Sequence, residues 1–396
     1  MEDHTDGLLR ETAFLMRWMT MRSLLYKTLR EETVFCISLL FALLSMLAVK
    51  PDAEYAGYID LRTLCLLFCL MAVTAGFQKC GIFRILAEKL LGAQNHMRGL
   101  ALALVLLPFF CSMVITNDVA LLTFVPFTIL VLHIIKQDRH TAPIIVLQTI
   151  AANLGSMATP PGNPQNLFLC SRYGLGMGEF FLTMLPFTAI SLILLLFCIR
   201  FVRQEPVRVY FKESSPLEHP RLLAVFTVLF LLCLLTIFHV LPYQALTLCV
   251  IVCLILLSRN IFWNVDYFLL ATFVCFFVFS GNLGRMETMR SFLSACMTKN
   301  GMLTSVLSSQ IISNVPAAVL LSSFTENWKA LLVGTNLGGL GTPIASLASL
   351  ISMKFYLKTE EGDFRSYLLL FLALNAVGLV ILLTAAYILS AAGFLF

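Results

Sequence analysis

Charged residues are scarce in this chain. Only 12% of its 396 residues are charged, whereas 59% are hydrophobic, and the mean hydropathy is +0.89. A soluble globule of this length needs more polar surface than such a composition provides. The scarcity excludes a soluble globular protein and predicts a polytopic membrane protein whose surroundings are the lipid bilayer.

Motifs of several other protein classes are also lacking. The sequence contains no His-Glu-x-x-His metalloprotease motif, and no Lys-Ser or Lys-Thr follows its glycine-rich runs as in a phosphate-binding loop. Its 12 cysteines lie almost all in apolar segments without a CxxC spacing. The net charge of +5 comes with no nucleic-acid recognition motif. We therefore expect no enzyme activity, no resident cofactor and no nucleic-acid partner.

Apolar runs near the length that crosses a bilayer, about 20 residues, organise the chain. They predict spans at 34–49, 60–77, 178–199, 221–240, 243–257, 265–282 and 366–396, with mixed interfacial helices at 78–98 and 284–300. Two apolar hairpins occupy 99–135 and 301–324. Residues 1–33 predict a cytoplasmic amphipathic segment, with a helix at 8–29 and no signal-peptide cleavage site, and residues 201–220 a polar cytoplasmic linker.

Two further apolar stretches, at 148–174 and 330–357, are interrupted by glycine, proline, asparagine and threonine. Hydrocarbon cannot hydrogen-bond a broken backbone, so such residues are tolerated at membrane depth only inside protein or beside a water-filled cavity. Interrupted helices of this kind form the binding sites of many transporters. Both stretches are therefore predicted to contribute to a binding site.

The two halves of the chain repeat each other. Residues 153–160 align without gaps on residues 336–343 and are identical at five of eight positions. In the same frame Asn163 and Asn166 fall on Ser346 and Ser349, and Thr116-Asn117 matches Ser313-Asn314 at the centre of each hairpin. We predict an all-α protein with two repeats, 34–200 and 221–396, each with a re-entrant hairpin and an interrupted helix. The second repeat carries one extra leading helix.

The extra helix determines the predicted orientation. With a cytoplasmic N-terminus, an odd additional crossing inverts the second repeat and leaves the C-terminus outside. The predicted cytoplasmic segments then hold 20 of the 27 lysines and arginines, as the positive-inside rule requires. We predict an inner cell-membrane protein in this orientation. Arg285, Arg290 and Lys299 fall on the outer face and do not fit the rule.

Asp118 is the one acid in the middle of an apolar hairpin. A carboxylate near the bilayer midplane is costly and marks an ion or proton path, unless both hairpin arms cross fully and expose it in an ordinary turn. Neutral oxygens and half-helix C-termini suit a sodium ion, and half-helix N-termini suit an anion. The candidate substrate or ion-binding residues are Thr116, Asn117, Asp118, Asn153, Gly155, Thr159, Pro160, Gly162, Asn163, Asn166, Ser313, Asn314, Thr335, Asn336, Gly338, Gly341, Thr342, Ser346 and Ser349, with sodium at Asn117, Asp118, Gly155 and Thr159.

Four segments carry a family resemblance: TNDVALLTFVP (116–126), NLGSMATPPGNPQN (153–166), SNVPAAVLL (313–321) and GTNLGGLGTPIASLAS (334–349). The pattern resembles the ion transporter superfamily of arsenite permeases, sodium/proton antiporters, citrate transporters and divalent anion/sodium symporters. The resemblance implies an inverted-repeat homodimer that works by an elevator motion. It also implies that Asn117 faces the 155–159 break and Asn314 the 338–342 break. The symporters carry Ser-Asn-Thr at each tip, where this chain has Asp118 and Val315 in third place.

Secondary active transport of a small anion or oxyanion, coupled to a sodium or proton gradient, is the function that these features favour. A sodium/proton antiporter or an arsenite-type permease using Asp118 remains an alternative. An intramembrane enzyme lacks its motifs, and a channel has no need of interrupted repeats.

Overall fold

The structure is a computed structural model that describes residues 32–92, 94–207 and 219–394. Over these ranges the chain folds into α-helices joined by short 3-10 turns, and no strand forms. The predicted amphipathic helix at 8–29 and the centre of the linker, 208–218, lie outside the described residues. The predicted all-α class is confirmed for the described part of the chain.

Nine helices lie among the described residues of the first half. They are α1 (Thr33–Ala48), α2 (Tyr55–Tyr58), α3 (Leu61–Lys79), α4 (Ile82–Gly92), α5 (Met97–Cys111), α6 (Asn117–Ile134), α7 (Thr141–Ser156), α8 (Pro164–Tyr173) and α9 (Met177–Arg200). The predicted hairpin is α5 and α6, and the predicted interrupted helix is α7 and α8 with the 3-10 turn Pro160–Gly162 between them. Both breaks therefore lie where polar and turn-forming residues interrupt the apolar pattern.

Eight helices lie within residues 219–394, the described part of the second half. They are α10 (Pro220–Ile237), α11 (Tyr243–Leu257), α12 (Tyr267–Arg285), α13 (Glu287–Ile312), α14 (Asn314–Leu321), α15 (Trp328–Leu337), α16 (Leu347–Tyr356) and α17 (Phe364–Ala391). α13 kinks at Asn300, whose φ of −159° and ψ of 80° are not helical. The Asn300 Oδ1 accepts from the Leu303 amide at 3.0 Å and starts a new helix there. The kink divides α13 at the predicted boundary between interfacial segment and hairpin.

Burial is arranged as expected for a protein in lipid. Large apolar side chains such as Leu47 (80% exposed) and Leu256 (75% exposed) cover the outside, whereas many asparagine, serine and threonine side chains are buried. Among the described helices, six are long and apolar enough to cross a membrane: α3, α6, α9, α10, α12 and α17. The predicted polytopic membrane protein is confirmed at this level.

Helix packing follows the same plan in both halves. α1 of the first half packs along α12 of the second half, and α10 of the second half packs along α3 of the first. Within the halves, α5 packs on α7 and α13 on α15. Each hairpin also contacts the interrupted helix of the other half, since α6 contacts α16 and α14 contacts α8. The centre of the molecule is therefore built from both halves at once.

Arg285, which did not fit the charge rule, has a structural explanation. Its Nη1 lies 2.7 Å from an Asp52 carboxylate oxygen and 3.5 Å from one of Glu54, and it donates to the Tyr58 hydroxyl at 3.2 Å. These partners precede α3 in the loop after α1. The positive charge at the end of α12 is thus neutralised locally by the acids beside it.

Candidate functional site

The first hairpin tip packs against the first break. A Cβ on Gly155 would lie 2.0 Å from the Phe109 carbonyl oxygen, and one on Gly162 would lie 2.3 Å from the Ser156 carbonyl oxygen. The Thr159 hydroxyl donates to the Met113 carbonyl next to the tip. Glycine is needed here because two backbones meet at a distance that no side chain allows.

The second tip is tied to the second break by Gln310. Its Nε2 donates to the Gly338 and Leu340 carbonyls, each at 2.8 Å, and its Oε1 accepts from the Thr342 amide at 2.8 Å. Gly341, with φ of +116°, adopts a conformation that other residues rarely enter. Gln310 was not among the predicted residues. It lies one helical turn before Ser313, and only the fold shows what its amide reaches.

Asn153 is the centre of a buried hydrogen-bond network. Its Oδ1 accepts from the Asn117 Nδ2 at 2.9 Å and from the Ser346 hydroxyl at 3.0 Å. Its Nδ2 donates to the Ser349 hydroxyl at 3.3 Å. The network therefore links the first hairpin tip, the first break and the second interrupted helix.

Asn336 aligns with Asn153 and contacts the interrupted helix of the first half. Its Nδ2 donates to the Asn166 Oδ1 at 2.7 Å, and the Asn166 Nδ2 donates to the Ser156 and Thr159 carbonyls, each at 3.2 Å. In the sequence alignment Asn153 corresponds to Asn336 and Ser349 to Asn166. Exchanging the halves therefore converts the Asn153–Ser349 contact into the Asn336–Asn166 contact. Gln165, missed by the sequence reasoning although it adjoins Asn166, donates to the Thr335 carbonyl at 3.4 Å.

Four helices begin at this centre and four end there. α6, α8, α14 and α16 begin after Thr116, Asn163, Ser313 and Ser346, and none of these residues caps its helix with a side chain. α5, α7, α13 and α15 end at the same two tips and breaks. Helix N-termini attract anions and C-termini attract cations. The centre thus provides the elements of both kinds of site.

A cavity of about 340 Å³ reaches this centre. Thr116, Asp118 and Asn163 line its buried end, and the exposed Asp266 and Lys354 line its open end. The Asp118 Oδ1 is buried and has no hydrogen-bond partner among the described residues. An unpartnered carboxylate oxygen on a cavity wall is costly, so it marks a position where a proton, ion or water belongs.

The remaining predicted residues have other surroundings. The Thr335 hydroxyl donates to the Leu331 carbonyl of its own helix at 2.8 Å, and Pro160 opens the 3-10 turn of the first break. Asn314 lies beside Gly339, and Ser313 has a φ of +73° that strains a residue with a side chain. Buried Val315 offers no polar atom. The polar atoms of the second tip are therefore fewer than those of the first.

Comparison with known proteins places the chain in a family. Residues 17–327 match the citrate transporter family, a range that includes both hairpin tips and the first break. An uncharacterized transporter of Methanocaldococcus jannaschii is 31% identical over 79% of this chain and 86% of its own. The inner membrane protein YbiR of Escherichia coli is 30% identical over 83% and 89%. A silicon efflux transporter of Oryza sativa is 32% identical over 35% of this chain and 28% of its own. The chain therefore belongs to the citrate transporter family and is a multi-pass membrane transporter.

Proposed function

We propose that the protein is a secondary active transporter of a small anion or oxyanion, coupled to a proton or a sodium ion through Asp118. The observation that carries the proposal is the unpartnered Asp118 carboxylate oxygen on a cavity that also meets the N-terminal ends of α6, α8 and α16. Helix N-termini favour an anion there, whereas the carboxylate opposes one.

The repulsion between the Asp118 carboxylate and a bound anion is large enough to couple cation binding to anion binding. At an effective dielectric constant of 20, two unit negative charges 6 Å apart repel by about 3 kcal/mol, which corresponds to roughly a hundredfold in affinity. A proton or a sodium ion on Asp118 removes that repulsion. Binding of the cation and binding of the anion then favour each other, as symport requires.

The candidate sodium ligands are the four residues predicted from the sequence. α7 ends beside Gly155 at the same break as Thr159, and the Asn117 Oδ1 accepts from the Asp118 amide at 3.0 Å. Carboxylate and carbonyl oxygens are the ligands that hard cations prefer. The corresponding position of the second half has Val315, so we propose a single cation site, in the first half.

The charge of the cavity lining and the names of related proteins both bear on the identity of the substrate. Among the described residues that line the cavity, Lys354 is the only cation, and it stands at the open end. A substrate at the buried end would thus be held by amides, hydroxyls and helix N-termini, which favours a singly charged or weakly acidic species. The family description names citrate and the rice relative's name gives silicon, so the related proteins differ in the small solute that their names give.

Alternating access follows from the repeat. We propose that the halves are inverted repeats with re-entrant hairpins, because the contacts at Asn153 and Asn336 exchange when the halves are exchanged. The cavity opens where α12 begins and α16 ends, beside Asp266 and Lys354, which in the proposed orientation is the cytoplasmic side. The described conformation is then inward-facing. An elevator motion in a homodimer is the proposed route to the outward-facing state.

The test is the substitution Asp118→Asn in proteoliposomes. For the native protein we expect anion uptake to rise as the pH falls, or as sodium is added, because the cation removes the negative charge from Asp118. Asp118→Asn is neutral at every pH and should transport with little dependence on pH or sodium while binding the anion at least as tightly. Initial uptake rates across a pH series, with and without sodium, measure both properties.

The matched control is Asp138→Asn, which neutralises a loop aspartate that does not line the cavity. It should keep the native pH and sodium dependence. If Asp118→Asn keeps that dependence as well, coupling does not pass through Asp118.

A sodium/proton antiporter is the second candidate, favoured by the acidity of the cavity. Glu32, Asp118 and Asp266 line it against the single Lys354. Proton-driven sodium efflux from liposomes without any anion would support this candidate and contradict symport. An arsenite-type permease would instead carry a neutral solute with no effect of either gradient.

A further inference from the structure

A second cavity lies between the N-terminal end of α5 and the C-terminal end of α9, at the opposite end of α5 from the first hairpin tip. This α5–α9 crevice has a volume of about 540 Å³. His96, Arg98 and Arg200 line it together with the amides of Gln94, Asn95 and Gln204. Among the described residues of its lining there is no acid, so the crevice is a basic pocket, and it shares no lining residue with the cavity at the tips and breaks.

The two arginines retain donors for a ligand. The Arg98 Nε donates to the Val202 carbonyl at 3.1 Å, which anchors the side chain at the crevice. Over the described part of the chain, no other hydrogen bond involves the side chain of Arg98 or Arg200. The nearby carboxylate of Glu205 is already paired with Arg139. Among the described residues, the lining of the crevice therefore carries positive charge and no acid.

The crevice is continuous with a surface that faces lipid. Leu102, Leu196 and Ile199 form its apolar part. Leu196 is 43% and its neighbour Phe197 on α9 58% exposed, and Phe201, directly after the helix, is 71% exposed. An apolar helix face that ends in a basic pocket matches a molecule with acyl chains attached to an anionic head.

We propose that the α5–α9 crevice binds the phosphate headgroup of an anionic phospholipid, with the acyl chains along the exposed face of α9. Arg98 and Arg200 meet the phosphate, and the Gln94 and Gln204 amides meet the ester and hydroxyl oxygens of the headgroup. The segment after α9 already contacts the start of α5, since the Met97 amide donates to the Glu205 carbonyl at 2.8 Å. A lipid in the crevice would add a second link between the two helices.

The test titrates the purified full chain with phosphatidylglycerol or phosphatidylcholine and counts bound lipid by native mass spectrometry. We expect preferential retention of phosphatidylglycerol by the native protein. Each basic side chain near an anionic lipid contributes about 1 kcal/mol, or about fivefold in affinity, so Arg98→Gln with Arg200→Gln should weaken phosphatidylglycerol binding roughly thirtyfold. Arg98→Lys with Arg200→Lys keeps the charge and should keep most of the preference, which separates loss of the site from loss of folding.

The control pair is Arg259→Gln with Arg365→Gln, two exposed arginines outside the crevice. It removes the same charge and should leave phosphatidylglycerol binding unchanged. Equal weakening by the control pair would mean general attraction of anionic lipid and would overturn the proposal. Equal retention of phosphatidylcholine by the native protein, or full competition by soluble glycerol phosphate, would overturn it as well.

Discussion

Single residues at the centre are held by neutral hydrogen bonds, and Asp118 is the exception. Asn153 has both of its side-chain polar atoms in use, with one partner on α6 and two on the second interrupted helix. Such a network is stabilising only while every member is satisfied. The arrangement makes Asn153 a positioning residue for the first tip and leaves the Asp118 Oδ1 without a hydrogen-bond partner among the described residues.

Replacing Asn153 by alanine tests that role. Asn153→Ala leaves the Asn117 amide and the Ser346 hydroxyl without their acceptor, and each buried unsatisfied group costs about 1–3 kcal/mol. We expect a lower midpoint of thermal unfolding. In protein that does fold, we expect a raised KM for substrate, because the first hairpin tip and the first break shift relative to each other. Thermal unfolding and uptake kinetics on the same preparation measure both.

Asn375→Ala is its matched control. Asn375 is fully buried in α17 but donates to the Phe371 carbonyl of its own helix at 2.8 Å, away from the network. It should change KM little. A KM raised equally by Asn375→Ala would show that any buried asparagine has this effect, and the network would lose its specific role.

At the scale of elements, the tips and breaks depend on close backbone contact. α7 approaches α5 at Gly155, where a Cβ would meet the Phe109 carbonyl oxygen at 2.0 Å. The obstacle is backbone and cannot rotate away, so an added methyl group must displace a helix. Helix interruptions in membranes persist only where neighbouring protein satisfies the freed backbone, and this close contact provides that neighbour.

Gly155→Ala should therefore separate the first hairpin from the first break. Overpacking of this kind costs about 1–3 kcal/mol, and transport should fall further than stability because both sides of the site move apart. Gly178→Ala is the matched control, since nothing lies within 4 Å of a Cβ at that exposed position of α9. Retained transport in Gly155→Ala would argue that the contact is not needed for the site.

At the scale of the whole molecule, two packing relations suggest how the halves correspond. α1 packs along α12 as α10 packs along α3, and from this we propose that α10 corresponds to α1 and that α11 is the additional helix. The sequence alone pointed to 221–240 as the extra span. Either assignment adds one crossing, so the proposed inversion of the second half is unaffected.

Inversion can be tested by labelling the loops that follow the hairpins. Lys136 follows α6 and Glu326 follows α14, and both are exposed. In intact cells, a membrane-impermeant thiol reagent should modify Glu326→Cys, whereas Lys136→Cys should react only after permeabilisation. Labelling of both from the same side would contradict inverted repeats. The unsubstituted chain is the control, since its 12 cysteines set the background.

The sequence by itself determined the membrane class, the positions of the breaks and the pairing of the repeats. Asn300, for example, separates a mixed segment from an apolar one in the sequence and kinks α13 in the structure. These features are local, because hydropathy, proline, glycine and capping residues act within a few turns of the chain.

Only the tertiary structure decided which polar groups meet. Asn153 and Ser349 are 196 residues apart, and neither Gln310 nor Gln165 carries a sequence signal that names its partner. The sequence likewise does not show that Arg285, a positive charge on the predicted outer face, pairs with Asp52. Hydrogen bonds and charge pairs depend on distances of a few ångströms between segments remote in the chain, and those distances are set by helix packing rather than by composition.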